Sequence, residues 1–135
     1  DNALIVELKQ WEKATIAEGD GIVKTFLGGR ERETVHPSYQ ASSYKRFLQN
    51  FNESLYDGSA ISLHSCAYLH NYIMDRDEEP LLDNRYERYL QESPIYFQFD
   101  DRVLAENISK LVSNGNGGEI AAAIETGRIH PSKKL

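Results

Sequence analysis

A carboxylate and an amine stand two residues apart near the start of the chain, in the tripeptide Glu7-Leu8-Lys9. Residues two apart in a strand point to the same side, so we expect Glu7 and Lys9 to share a face. The carboxylate can hold Mg²⁺ or Mn²⁺ through oxygen, and the main-chain carbonyl of Leu8 can add another oxygen ligand. The ammonium can orient an attacking water and neutralise a phosphate. The set suits metal-assisted hydrolysis of a phosphodiester bond, although the tripeptide alone also fits a solvated ion pair.

A second pair of polar side chains, Gln40 and Tyr44, lies four residues apart in a segment with helical periodicity. This spacing places both on one face of a helix. An amide can hold a water or a phosphate oxygen, and a phenol can donate to phosphate. Alone, the pair also fits a core tyrosine with an incidental glutamine. Together with Glu7 and Lys9, it predicts four side chains that converge within about 10 Å at one end of a sheet, a separation that metal and water can bridge.

Histidine and cysteine suggest two further kinds of site. His36 precedes Pro37 at a helix start, where it could contact a phosphate or, the favoured interpretation, tie the helix to a neighbouring strand. His64, Cys66 and His70 suggest zinc, but a fourth ligand is missing and the spacing fits no standard site. We therefore expect a small buried cysteine and hydrogen-bonded histidines.

Three other features have ordinary structural interpretations. Trp11 could stack on a base, but packing over the sheet edge is the favoured prediction. The acidic run at residues 75–79 predicts a solvated loop, because it lacks the glycine and the spacing of a calcium loop. The glycine-rich stretch at residues 115–118 is not followed by Lys-Ser or Lys-Thr, so this piece is not an ATPase.

Hydrophobic periodicity and turn residues define the elements that must position these groups. The predicted strands are residues 3–9, 22–27, 30–35, 60–69 and 95–99. The predicted helices are residues 37–55, 82–91, 100 or 101 to 112, and 119–126. Strands followed by a helix, a strand and further helices predict a mixed α/β sandwich.

Composition limits the possible classes of protein. A chain of 135 residues with 40% hydrophobic and 27% charged residues forms one folded domain. A single cysteine excludes an internal disulfide and favours a reducing, cytoplasmic setting. A formal net charge of -6 argues against binding nucleic acid through bulk electrostatics, but acids and bases balance over residues 1–50 and the acidic excess lies later.

The Glu-x-Lys strand end followed by a Gln-x-x-x-Tyr helix resembles the PD-(D/E)XK nuclease superfamily, and the helix motif is typical of its RecB-like branch. The amino-acid sequences of four segments are similar to the region that precedes the helicase-type ATPase in bacterial DUF2075 (schlafen-like) proteins. These segments are residues 5–11, 36–40, 67–72 and 131–135, so the resemblance covers nearly the whole chain.

The resemblance implies an α/β fold with a restriction-endonuclease-like mixed sheet flanked by helices and lacking its first elements. Residues 1–130 would form the nuclease-like domain, and residues 131–135 would begin a linker to an ATPase domain. Glu7 would be a metal ligand, with the carbonyl of Leu8 beside it, and Lys9 the catalytic lysine. Gln40 and Tyr44 would position the substrate. The implied activity is Mg²⁺- or Mn²⁺-dependent hydrolysis of DNA by a larger helicase-linked protein.

The chain departs from this pattern at the first acidic ligand, which the superfamily carries on the preceding strand. Only Asp1 is available, about 20 Å from Glu7 along a straight strand. Two ligands of one ion lie about 4 to 5 Å apart, so Asp1 cannot share a metal with Glu7 unless the chain folds back sharply. We expect the true aspartate to lie upstream, so that this chain alone binds metal weakly and does not cut, whereas a longer form does.

The alternative function is a catalytically inactive nucleic-acid-binding or interaction module on the same fold. In either case the expected partners are nucleic acid, DNA rather than RNA, and an ATPase domain in the same polypeptide. A strand edge exposed by missing elements would favour a homodimer. No apolar run approaches the ~20 residues of a membrane span, so no membrane partner is expected.

Overall fold

The computed structural model describes residues 2–55, 62–113 and 120–125 of the chain. Its strands are β1 (Asn2–Lys9), β2 (Ala14–Ile16), β3 (Ile22–Leu27), β4 (Arg30–Val35), β5 (Ser62–Leu69), β6 (Ile95–Phe97) and β7 (Ile120–Glu125). Its α-helices are α1 (Pro37–Leu55), α2 (Glu87–Glu92) and α3 (Asp101–Ser113). Short 3₁₀ turns cover Pro80–Leu82, Asn84–Tyr86 and Gln98–Asp100.

The larger sheet is parallel throughout, with the strand order β6-β5-β1-β7. Strand β1 is central and pairs along its whole length with β5, from Asn2 beside Ser62 to Lys9 beside Leu69. Residues 4–7 of β1 are all buried. Such a nearly continuous apolar run is typical of a parallel strand that is covered on both faces. The central position of β1 therefore follows from its sequence.

Helix α1 covers the sheet face that carries Glu7 and Lys9. Ser42 of α1 and Ser65 of β5 both hydrogen-bond to the hydroxyl of Ser93, so Ser65 points towards α1. Side chains alternate along a strand, and residues in register on neighbouring parallel strands point the same way. Ile5 is in register with Ser65, so Glu7 and Lys9, two and four residues further along, also face α1.

The opposite face of the sheet is covered by α3. Leu4 and Val6 of β1 pack there with Cys66 of β5 and Leu104 of α3. Helix α3 is preceded by Asp100, whose carboxylate accepts a hydrogen bond of 2.9 Å from the Phe97 N–H. The sheet is thus the middle layer of a helix-sheet-helix sandwich, and β1 lies at its centre.

The smaller sheet is antiparallel, with the strand order β2-β3-β4. The turn between β3 and β4 is Gly28-Gly29, with φ of 61° and 77°, and a two-residue hairpin turn of this kind needs positive φ at both positions. Ala14 and Val23 pack with Trp11 and Leu69 in one core cluster. The base of this sheet is therefore fixed to the carboxyl end of the larger one.

The start of α1 is anchored by His36. Its Nδ1 accepts the Ser38 N–H at 3.0 Å, so Nε2 carries the proton and donates to the Leu81 carbonyl at 2.9 Å. The ring is fully buried, and this desolvation lowers the pKa of His36 to about 4. The predicted structural role of His36 is confirmed, although the ring ties the helix start to the 3₁₀ turn at Leu81 rather than to a neighbouring strand.

The predicted α/β class is confirmed, with the parallel and antiparallel strands separated into two sheets. Strand β1, the hairpin strands and α1 lie where the sequence places them. The predicted helix at residues 82–91 is replaced by two 3₁₀ turns and the short α2, and the predicted strand at residues 95–99 ends at Phe97. The three-residue strand β2 was not predicted.

The prediction of a helix at residues 119–126 is wrong. Residues 120–125 form strand β7, in parallel register with β1. Alanine favours helix locally, but pairing with the other edge of a central buried strand outweighs that small preference. The predicted linker at residues 131–135 lies outside the described residues. Over the part of the chain that is described, no helix is both long and apolar enough to cross a membrane.

Candidate active site

The two charged groups of the Glu-x-Lys tripeptide form an ion pair at the carboxyl end of β1. Lys9 Nζ lies 3.2 Å from Glu7 Oε1. The Glu7 side chain is completely buried, and the Lys9 side chain is 16% exposed. Burying a carboxylate is costly unless a charge or hydrogen-bond donors accompany it. The pair therefore combines a carboxylate held away from bulk water with a lysine side chain that is still partly exposed.

A small residue lies beside the carboxylate, and an aromatic ring lies beside the amine. The β5 residue in register with Glu7 is Ala67, which contributes only a methyl group. On the other side, Lys9 Nζ lies 5.7 Å from the centre of the Trp11 ring, within the range of a cation–π interaction. Trp11 is itself 6% exposed and belongs to the core cluster, so the favoured packing role of Trp11 is confirmed.

Helix α1 presents Gln40 and Tyr44 in the layer above this sheet face, and both side chains are half-buried. The flank of α1 that carries Ser42 faces α2 and the β5–β6 side of the sheet, through the Ser42–Ser93 hydrogen bond. Gln40 and Tyr44 are each two residues from Ser42, about 200° around the helix axis. They therefore lie on the side of the helix away from Ser42. Their approach to within about 10 Å of the ion pair stays a prediction.

Strand β7 places the main chain of a second glutamate, Glu125, beside that of Glu7, a pairing that the sequence interpretation missed. Its register with β1 ends with Glu125 beside Glu7, and neighbouring strands lie about 4.8 Å apart. The two strands carry a similar signal, an apolar run closed by glutamate: Ala-Leu-Ile-Val-Glu in β1 and Ala-Ala-Ala-Ile-Glu in β7. Assigning residues 119–126 to a helix concealed this likeness. Asp1, the acidic residue weighed earlier, lies outside the described residues.

The oxygen donors at Glu7 and Leu8 would supply part of the ligand set that a hard divalent cation needs. Glu7 offers carboxylate oxygen, which Mg²⁺ and Mn²⁺ prefer, and the carbonyl of Leu8 is its nearest main-chain neighbour along β1. The Leu8 side chain packs on the α3 face, away from the ion pair. Among the described residues, no three His, Cys, Asp or Glu side chains form a metal-binding group. The assignment of Glu7 and Leu8 as metal ligands stays a prediction.

The residues considered for zinc have structural roles. Cys66 is buried in the α3-side cluster, and desolvation raises the pKa of its thiol to about 12. Zinc binds the thiolate, which this environment disfavours. His64 Nε2 lies 3.4 Å from the Asn2 amide oxygen, and the His70 ring packs 6.0 Å from the ring of Tyr68. The expected small buried cysteine is confirmed.

The acidic run between β5 and α2 forms an exposed loop, as predicted. The Asp75 carboxylate accepts the N–H groups of Asp77 and Glu78. Glu79 accepts the Tyr72 hydroxyl at 2.8 Å and the Leu81 N–H at 3.0 Å. These carboxylates stabilise the loop itself and begin the turn that His36 binds.

Comparisons with protein-family models, with curated proteins and with solved structures find no match to this chain. The resemblance to PD-(D/E)XK nucleases therefore stays a prediction, supported by the motifs named above. The functional interpretation depends on the geometry of Glu7 and Lys9 beneath α1.

Proposed function

We propose that this chain is a metal-dependent nuclease domain that hydrolyses phosphodiester bonds in DNA. It would act in the cytoplasm as part of a larger ATPase-linked protein. The observation that carries the proposal is the ion pair of Glu7 and Lys9, at the carboxyl end of the central parallel strand and on the face covered by α1. The carboxyl ends of parallel strands are the usual place for ligand sites in open α/β sheets.

Each residue has a role that its position supports. Glu7 would hold Mg²⁺ or Mn²⁺ through its carboxylate, with the Leu8 carbonyl as a second oxygen. The bound ion would supply Lewis-acid stabilisation of the phosphate and lower the pKa of a bound water. Lys9 would orient the attacking water and neutralise charge on the phosphate. Gln40 and Tyr44, half-buried on α1, would hold the scissile strand by hydrogen bonds to phosphate oxygens.

The burial of the pair supports a catalytic role for the ammonium. An electrostatic interaction is several times stronger in a partly desolvated site than in water. A fixed ammonium next to Glu7 would therefore stabilise negative charge that develops on a phosphate at the mouth of the site, without reorganisation of solvent. Lys9 is suited to this because its side chain is anchored by Trp11 and still 16% exposed.

The test is the rate at which the full-length natural protein cuts labelled DNA with Mn²⁺ or Mg²⁺. Lys9→Ala should lower the rate by roughly 10²-fold or more, the usual effect of losing a positioned proton-transfer or charge-stabilising group. DNA binding should be retained. The matched control is Lys45→Ala, because Lys45 lies on α1 near Glu92, at 3.7 Å, and on the other flank. Absence of metal-dependent cleavage by the unsubstituted protein contradicts the proposal.

A second candidate function is a catalytically inactive nucleic-acid-binding or interaction module on the same fold. The complete burial of Glu7 favours it, because a carboxylate closed to solvent can be a structural ion pair. In that case Lys9 only compensates the charge of Glu7. Full-length protein would then bind DNA without cutting it, and Lys9→Ala would have no cleavage to remove. The same assay therefore separates the two functions.

The proposed partners follow from the same interpretation. DNA is the substrate, and an ATPase or helicase domain would lie in the same polypeptide. A homodimer formed through a strand edge of the parallel sheet is the third proposed association. Sedimentation of the protein at increasing concentration tests it, and a constant monomer mass contradicts it.

A further inference from the structure

Strand β4 separates charges of opposite sign onto its two faces. Its sequence begins Arg-Glu-Arg-Glu, and side chains alternate across a strand. Arg30 and Arg32 therefore lie on one face, and Glu31 and Glu33 on the other. All four residues are exposed. Strand β4 carries no net charge, yet both of its arginines lie on a single face.

The basic face continues the face by which the small sheet packs on the core. Arg32 is in register with Thr25, and Thr25 with Ala14. Thr25 and Ala14 are buried. Residues in register on antiparallel strands share a face. Arg32 therefore lies on the same face as these buried residues, and Arg30 lies on that face nearer the hairpin tip. The basic pair thus lies on the side of the hairpin that is turned towards the larger sheet.

The arginines of this face differ from three others in the protein, although Arg76 and Arg102 likewise form no ion pair among the described residues. Arg46, Arg85 and Arg88 each form an ion pair with an acidic side chain, at 2.6 to 3.1 Å. Within the described ranges, neither Arg30 nor Arg32 has such a pair. Glu33, on the other face, lies in register with Lys24. A lysine thus lies beside Glu33 on the acidic face, whereas Arg32 on the basic face lies beside the uncharged Thr25.

The hairpin is attached to the segment that directly follows the candidate active site. The Thr25 hydroxyl donates to the Lys13 carbonyl at 2.6 Å. A cleft of about 260 Å³ separates residues 10–13 from residues 25–28. Across it, Lys13 Nζ lies 5.7 Å from the ring centre of Phe26, which is 55% exposed. One cleft therefore runs from the residue after Lys9 to the hairpin tip.

Distances along the backbone set an upper limit on how far Arg32 lies from the ion pair. Five residues of chain separate Lys9 from Ala14, at most about 17 Å, and two strand spacings of about 4.8 Å separate Ala14 from Arg32. Arg32 is thus within roughly 27 Å of Lys9, the axial length of about eight nucleotides at 3.4 Å each. Arg30 and Arg32 are about 6.8 Å apart, which is about two such nucleotide steps.

We infer that the face of the β3–β4 hairpin carrying Arg30 and Arg32 binds the phosphate backbone of a nucleic-acid strand and directs it to Glu7 and Lys9. The inference rests on the proposed nuclease function and names the substrate-binding surface of that site. Guanidinium groups bind phosphate oxygens in a bidentate way. With a net charge of -6 overall, binding must depend on such a local basic surface.

The test compares DNA binding by two double variants of the chain over a range of salt concentrations. In Arg30→Gln/Arg32→Gln, affinity for a fluorescent DNA duplex should fall roughly 10- to 100-fold near 0.1 M salt. The slope of log K against log salt should become shallower by about two, because each phosphate contact contributes about 0.9. The matched control, Glu31→Gln/Glu33→Gln, changes the opposite face and should keep the slope of the unsubstituted chain.

The outcomes distinguish this inference from the proposed function. If the arginine variant binds with an unchanged slope while full-length protein still cuts DNA, the inference fails and the nuclease proposal stands. If the unsubstituted chain does not bind DNA, the inference is also overturned. If an acidic polypeptide such as polyglutamate competes as well as DNA at equal charge concentration, the surface is a site for acidic protein instead. All four substituted residues are exposed, so each variant should keep the circular dichroism spectrum of the unsubstituted chain.

Discussion

Two pairs of charged residues, each spaced two positions apart on a strand, differ in burial and in the signs of their charges. Glu7 and Lys9 on β1 lie 3.2 Å apart, with the carboxylate fully buried beneath α1. Arg30 and Arg32 on β4 are exposed on a hairpin that extends beyond the core. The first pair joins opposite charges, and the second repeats the same charge. Alternation along a strand brings each pair to one face, but burial determines what the pair can do.

The difference shows why charge and position must be considered together. Salt at 0.1 M screens interactions between exposed charges over about 10 Å, whereas a buried pair is screened much less. The pair of Glu7 and Lys9 should therefore contribute to stability and chemistry in a way that depends little on salt. The pair of Arg30 and Arg32 should contribute little to stability and should bind ligands with a strong dependence on salt.

The largest effect is expected from removing only the ammonium of the buried pair. Lys9→Met should lower the free energy of unfolding by about 3–5 kcal/mol, because the buried Glu7 carboxylate loses the charge that accompanies it. Urea unfolding monitored by the fluorescence of Trp11 measures this.

The matched control for this stability effect is the double variant Glu7→Gln/Lys9→Met, which removes both charges. It should recover most of the lost stability, because neutral replacements of a buried pair are often tolerated. Equal destabilisation by the single and double variants contradicts a charge-pair role and indicates a packing role for Lys9 instead.

A second effect, of similar origin, should appear at the start of α1 in acid. The pKa of His36 is lowered to about 4 from an ordinary value of 6.5, so the unfolded chain binds the proton more readily. Stability from neutral His36 is thus fully present above pH 6.5 and is lost as the pH falls towards 4. The full loss is roughly 3 kcal/mol.

Unfolding in urea at pH 7, 5.5 and 4.5 measures this loss. His36→Gln should remove that part of the pH dependence, whereas His64→Gln, a half-buried histidine on β5, should keep it. The same pH profile in the unsubstituted protein and in His36→Gln would show that another group is responsible.

A smaller difference is expected between two glycines at opposite ends of the hairpin. Gly21 has φ of 70°, and a Cβ there would lie 2.3 Å from Tyr39 Cδ2 of α1. Gly28 has φ of 61° at the tip, where a Cβ would meet nothing within 4 Å. Gly21→Ala should cost about 2–3 kcal/mol, from strain and overlap, and Gly28→Ala about 1 kcal/mol, from strain alone. Thermal unfolding compares them, and equal costs would show that Tyr39 moves aside freely.

Sequence patterns predicted the parts of this protein that depend on local rules. The apolar run of β1 indicated a buried strand, proline marked the start of α1, and alternation placed Glu7 and Lys9 on one face. The predicted bounds of α1, β3 and β4 are those observed. These features need only neighbouring residues to specify them.

What the sequence did not predict depends on long-range packing. Strand β7 forms because β1 has a second edge to pair with, and its alanines carry no local strand signal. The position of Glu125 beside Glu7 follows from that pairing alone. Likewise, the complete burial of Glu7 depends on α1 lying over the sheet, and nothing in the tripeptide itself indicates it. The missing part of the candidate site was therefore the part contributed by distant segments.

The central claim, that the buried ion pair is a nuclease site, is tested most directly by one rate. That rate is the Mn²⁺-dependent cleavage of DNA by full-length protein, measured for the unsubstituted form and for Lys9→Ala. The account predicts cleavage that requires the metal, falls roughly 10²-fold or more in the variant and leaves DNA binding intact. Undiminished cleavage by Lys9→Ala, or none by the unsubstituted protein, would contradict it.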